Sequence, residues 1–175
     1  MAKFDFNSTV TGYDPKNALR MAEIAYLAYK PPLHIKKFMI GKWRFEKFKF
    51  FDSKETQAFM VANGEIIILA FRGTDSIEDW MTDVDAKLIK GPFGKVHRGF
   101  SEALDCVWSD IEKTMLEFQI NSQPFWITGH SLGGALAALS AARFIEEESK
   151  RAKGIYTFGQ PRVGNGTFAE NFDAI

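Results

Sequence analysis

Apolar residues recur along this chain at two spacings, and the switches between them mark its elements. From Asp14-Pro15 to about Lys30, Ala18, Met21, Ala22, Ala25 and Tyr29 share one helical face, with Asp14 placed to cap and Pro15 at the first helical position. Pro31-Pro32 stops this helix, and the basic stretch from Leu33 to Trp43 reads as a loop with His34 on its surface. Three strands are predicted next. Phe45 to Phe50 has mixed faces, which suits an edge, and Gln57 to Ala62 is the second strand. Asn63-Gly64 signals a hairpin, and Ile66 to Phe71 is apolar nearly throughout, which predicts burial on both faces.

Beyond residue 71 the pattern alternates. Phe71-Arg72-Gly73-Thr74-Asp75 is a tight polar turn at the end of a central strand. Gly73 permits close backbone approach and Thr74 offers an N–H and a hydroxyl, as an oxyanion loop would; a plain strand-end turn fits the same residues. Ser76 to Asp83 reads as a short amphipathic helix, with Ile77, Trp80 and Met81 opposite Glu78, Asp79 and Asp83: a lid, or ordinary core packing. Gly91-Pro92-Phe93-Gly94 marks a loop. A helix starts at Ser101, buries Ala103, Leu104, Val107, Trp108, Ile111, Met115 and Phe118, and breaks at Asn121-Ser122-Gln123-Pro124. A strand over Phe125 to Thr128, a helix to about Glu148, a strand over Ile155 to Phe158, a turn-rich loop and a helix from Phe168 follow. This alternation predicts one α/β domain over 1–175, with a mostly parallel central sheet and helices on both faces.

One junction in this pattern carries chemistry. Between the strand ending at Thr128 and the helix bearing Leu132, Ala135, Leu136 and Leu139 lies Gly129-His130-Ser131-Leu132-Gly133, a Gly-x-Ser-x-Gly nucleophile elbow. Such a turn forces the serine into a strained backbone conformation and presents its hydroxyl. The flanking glycines let strand and helix come close. The serine also opens a helix, where free N–H groups and the positive dipole end can stabilise an oxyanion.

Composition narrows the classes. With 175 residues, 46% of them hydrophobic, the chain can bury a real core. Zero formal net charge gives no bulk attraction to nucleic acid. A single cysteine, Cys106, excludes an intramolecular disulfide and reads as a small core residue. The first residues lack a signal-peptide core, which makes a cytoplasmic protein the default, although a mature secreted form would look the same. His97, Asp79, Asp83 and Asp85 do not form a recognisable metal-ligand spacing, so neither metal nor cofactor is expected.

Taken together, several stretches resemble the class 3 lipases, the fungal-type branch of the α/β-hydrolases. They are Phe71-Arg72-Gly73-Thr74, Asp79-Trp80 with Asp83, His97-Arg98-Gly99-Phe100, the elbow through Ala135, and Thr157-Phe158-Gly159-Gln160-Pro161-Arg162-Val163-Gly164-Asn165. The resemblance implies that Ser131 is the nucleophile. Thr74, by its N–H and hydroxyl, and Leu132, by its N–H, would form the oxyanion hole. Ser76 to Asp83 would be the lid, with Ile77, Trp80 and Met81 on its apolar face, and His97 would be structural. The implied reaction is carboxylic-ester hydrolysis through an acyl-enzyme, most simply on acylglycerols, with a lipid–water interface as partner.

In this fold the acid and the histidine follow the serine. His34, His97 and His130 all precede Ser131, and Glu170 and Asp173 lie in the helix after the Pro-Arg-Val-Gly-Asn loop, too early for the triad acid. The chain therefore reads as the N-terminal two-thirds of a lipase domain. Three accounts stay open: the gene continues past Ile175, a second polypeptide supplies the rest, or the protein is a catalytically incomplete lipase-like fragment that binds lipid or a partner without turnover. An uncovered sheet edge or helix face would favour self-association.

Overall fold

The computed structural model describes residues 4–74 and 87–174. The segment read as a lid, with Ile77, Trp80 and Met81, lies outside them. Helix α1 (Pro15–Leu27) starts as predicted, the Asp14 carboxylate accepting from Lys16 N and Asn17 N. Strands β1 (Lys47–Ser53), β2 (Thr56–Ala62) and β3 (Ile67–Phe71) form an antiparallel meander. A hairpin, β4 (Leu88–Gly91) and β5 (Gly94–His97), leads into α3 (Arg98–Phe118). Then come β6 (Phe125–His130), α4 (Leu132–Glu148), β7 (Gly154–Phe158) and α5 (Gly166–Asp173). The five-stranded sheet has the order β1-β2-β3-β6-β7, and from β3 onward its pairings are parallel.

The sheet divides the apolar residues by their alternation, since successive side chains point to opposite faces. Met60, Ile67, Leu69 and Ile127 face α3 and α4, where Leu104, Trp108, Ile111, Leu136 and Phe144 cover them. Phe59, Val61, Ile68, Ala70 and Trp126 face α1 and the segment after it, against Met21, Ile24, Ile35, Met39 and Trp43. Every residue of β3 is buried, so a polar side chain there would lose its hydration on either face. The α/β architecture with helices on both faces is the one the sequence predicts.

Two local expectations need correction, and a third gains an addition. The stretch from Leu33 to Trp43 is not a loop: it holds α2 (Pro32–Lys36) and a π-helical turn over Lys37–Lys42. Pro32 suits the first helical position, and Ile35 and Met39 are fully buried anchors within an otherwise basic run. The Gly91-Pro92-Phe93-Gly94 stretch is a turn as expected, and the structure adds the two short strands it joins, which are too short to show an alternation in the sequence. Cys106 is half-buried on α3, its thiol 3.1 Å from the Glu102 carbonyl, and is not a core residue.

Candidate active site

The site is built where β3 and β6, two adjacent parallel strands, end together. Phe71 and Gly129 are partners in the register, so the Arg72-Gly73-Thr74 loop and the elbow leave the sheet side by side. Ser131 has φ 56° and ψ −127°, a backbone conformation that non-glycine residues rarely adopt. Its N–H donates to the Phe158 carbonyl at 2.9 Å, which ties the corner to the end of β7. Its own carbonyl accepts from Gly134 N at 2.9 Å and thereby opens α4. The N–H groups of Leu132 and Gly133, ahead of that bond, have no intrahelical acceptor.

Close packing fixes the corner. A methyl group on Gly133 would lie 2.4 Å from the Phe71 carbonyl oxygen. One on Gly73 would lie 2.2 Å from the Tyr29 hydroxyl, 2.4 Å from the His130 carbonyl oxygen and 3.2 Å from Ser131 Cβ. The loop, the elbow and the residue just past α1 therefore touch without side chains between them. Arg72 holds the loop from the other side, its N–H donating to Gln57 O at 2.9 Å and its Nη1 to Gln57 Oε1 at 2.6 Å.

Ser131 and Thr74 line one cavity of about 720 Å³. Its other walls are Ala22, Ala25, Tyr26, Tyr29, His130 and Phe158. Ser131 is only 8% accessible, so it lies at the base of a recess and does not project into open solvent. The His130 ring turns to Tyr29, whose hydroxyl is 2.8 Å from Nδ1. Neither Tyr29 nor Ala22 carries a sequence signal for this role, because both read only as one face of α1.

The His97-Arg98-Gly99-Phe100 and Val163-Gly164-Asn165 stretches do not line the cavity. His97 ends β5: its N–H donates to Val163 O at 2.9 Å and its ring packs on Phe100 at 4.5 Å. Burial holds its pKa below the usual imidazole value. Asn165 closes the same latch, since its side-chain oxygen accepts from Lys95 N at 3.1 Å and from Phe168 N at 3.0 Å, capping α5. The His97-Arg98-Gly99-Phe100 and Val163-Gly164-Asn165 stretches thus meet each other and build a joint. Glu170 and Asp173 are exposed on α5. His34 is exposed on α2.

Residues 68–175 match the family model described as Lipase (class 3). The chain belongs to the class 3 lipase family. It is 37% identical over 122 residues to a lipase of Rhizomucor miehei, covering 63% of this chain and 33% of that protein. It is 30% identical over 195 residues to a triacylglycerol lipase of Arabidopsis thaliana, covering 79% of this chain and 38% of that protein. Among solved structures, the lipase from Rhizopus microsporus var. chinensis superposes with a TM-score of 0.72 at 26% identity, covering 95% of this chain and 64% of that one. The fold is thus that of the α/β-hydrolase lipases, and this class 3 lipase chain spans about a third of the length of the curated relatives it matches.

Proposed function

We propose that this chain carries the nucleophile and oxyanion hole of a serine carboxylic-ester hydrolase acting on acylglycerols. The observation that carries the reading is the strained Ser131 at a strand–helix corner, sharing a recess with Thr74. The Ser131 oxygen attacks the ester carbonyl, and the negative charge that forms on the carbonyl oxygen is met by the Thr74 and Leu132 amides. The alcohol leaves with a proton, the acyl group stays on Ser131, and water releases it as the acid. His34 is exposed, His97 is held in the β5 joint and His130 bonds Tyr29, so the general base of this mechanism is none of the three.

The test is p-nitrophenyl ester turnover by the full-length gene product and its Ser131→Ala variant. Loss of turnover in the variant supports the nucleophile, and equal rates overturn it. The second reading is a lipid- or partner-binding chain without turnover, which fits the His130 ring being held by the Tyr29 hydroxyl. Stoichiometric labelling of Ser131 by a fluorophosphonate would exclude it.

Self-association belongs to the same reading. Strand β7 is an edge of the five-stranded sheet, and all five of its residues are half-exposed, whereas the first five of β6 are buried. An open edge with apolar faces is a template for pairing. Sedimentation of the 175-residue chain should show dimers or larger species, and a compact monomer would refute this.

A further inference from the structure

Tyr26, at the end of α1, and Tyr29, just past it, line the Ser131 cavity, and the chain that continues from them through α2 is cationic and partly apolar. Between Glu23 and Glu46 the chain has no acidic residue, while Lys30, Lys36, Lys37, Lys42 and Arg44 fall in that interval. A protein of zero formal net charge has therefore gathered positive charge on one segment. Tyr26, a wall of the cavity, is 62% exposed. Lys30 Nζ donates to the Tyr26 hydroxyl at 2.7 Å and sits 4.2 Å from the centre of its ring.

Helix α2 begins two residues after Lys30. Its Leu33 is followed by Lys36 and by Lys37, at the three- and four-residue spacings that share a helical face. Ile35 is fully buried and anchors the segment from within. Leu33 is 78% exposed, and Lys36 and Lys37 are exposed beside it. Among the described residues, none of Lys30, Lys36 and Lys37 is in an ion pair.

We propose that this segment docks an anionic lipid surface and sets the mouth of the Ser131 cavity against it. Lysines near such a surface are drawn to its headgroup charge, and an exposed leucine and tyrosine between them can enter the headgroup layer. An acidic peptide or a nucleic acid would use the charges and leave Leu33 in water. The proposal deepens the hydrolase reading by naming the surface that delivers the ester, and it rests on that reading for its purpose.

The experiment is co-sedimentation of the full-length gene product with vesicles at about 0.1 M salt. One set is pure phosphatidylcholine and the other contains phosphatidylglycerol as about a third of the lipid. Binding to the anionic vesicles should be at least about tenfold tighter and should fall as salt is raised. Lys36→Glu/Lys37→Glu should weaken it by more than about tenfold, and Leu33→Ser by about fivefold. Lys49→Glu/Lys113→Glu, exposed lysines outside the segment, should leave it near wild type.

Equal binding to both vesicle types, or equal losses in the two lysine pairs, overturns the proposal. So does tight binding to heparin with none to vesicles. Turnover of a soluble p-nitrophenyl ester, measured on the same samples, keeps the two readings apart. Vesicle binding without turnover leaves the docking segment standing and refutes the hydrolase. Turnover without preference for anionic vesicles does the reverse.

Discussion

The Tyr29 hydroxyl lies 2.8 Å from His130 Nδ1 and 3.5 Å from the His130 carbonyl oxygen. It is also the atom nearest to a side chain imagined on Gly73. One phenol just past α1 thus touches both the residue before Ser131 and the loop bearing Thr74. Arg72 completes the clamp, its guanidinium 5.7 Å from the Tyr29 ring centre.

Removing this hydroxyl should loosen the joint and leave the fold intact. Tyr29→Phe should lower stability by about 1 kcal/mol, the usual worth of one hydrogen bond, read as a lower urea midpoint. In the full-length gene product it should, under the proposed mechanism, reduce the turnover number for a soluble ester by up to about tenfold while KM changes little, because what shifts is the alignment of the Thr74 loop and Ser131. A wild-type turnover number would show that Tyr29 does not align them.

Gly73→Ala should be far more costly than its one methyl suggests. The added carbon meets a hydroxyl and a carbonyl oxygen well inside contact distance, and the backbone must move. Overpacking of this kind costs about 1–3 kcal/mol. Gly64→Ala is the control, since nothing lies within 4 Å of a methyl group there. It should change stability by less than about 0.5 kcal/mol, so that equal urea midpoints for the two variants would contradict the packing at the loop.

The sheet, α4 and the elbow were legible in the sequence because each has a local cause. The continuous apolar run of β3 has no use except in a sheet covered on both faces, and Gly129 and Gly133 flank Ser131 at a fixed spacing. The clamp was not legible, because Tyr29 and His130 are 101 positions apart and meet only after the sheet forms. The α2 and π-helical segment was misread for a different reason. Its lysines suggest a solvated loop, and the two anchors that hold it, Ile35 and Met39, are decided by what the sheet leaves open. The joint between His97 and Val163 shows a third case: both stretches were singled out, and only the structure brings them together.

The strain at Ser131 predicts an inversion of the usual ranking of alanine and glycine. Glycine normally destabilises relative to alanine by roughly 0.5–1 kcal/mol through the entropy of the unfolded chain. At φ 56° and ψ −127° alanine keeps the steric penalty that serine bears, and glycine loses it. Such strain is of order 1–3 kcal/mol, which exceeds the entropic term. Ser131→Gly should therefore unfold at a higher urea concentration than Ser131→Ala, with ester turnover absent from both. The opposite order would mean that the corner is relaxed.

Stability should also respond to the half-buried imidazole of His97. Burial disfavours the charged ring, so its folded pKa lies below the ordinary imidazole value of 6.5. Between those two values the unfolded chain binds the extra proton, and stability rises with pH across that window. The contribution is thus complete above 6.5 and is lost as pH falls towards the folded pKa. Glu112 acts in the opposite sense, because burial raises its carboxyl pKa and its proton is held more tightly in the folded state. The whole-protein profile therefore mixes the two, and the clean measurement is a difference. His97→Asn keeps the backbone bond to Val163 and removes the titrating ring. Its urea midpoint should fall less than that of wild type on acidification from about pH 7.5 to about pH 5.5, a span that brackets the unperturbed imidazole value. Parallel profiles for the two proteins would mean that the ring is hydrated in the folded state.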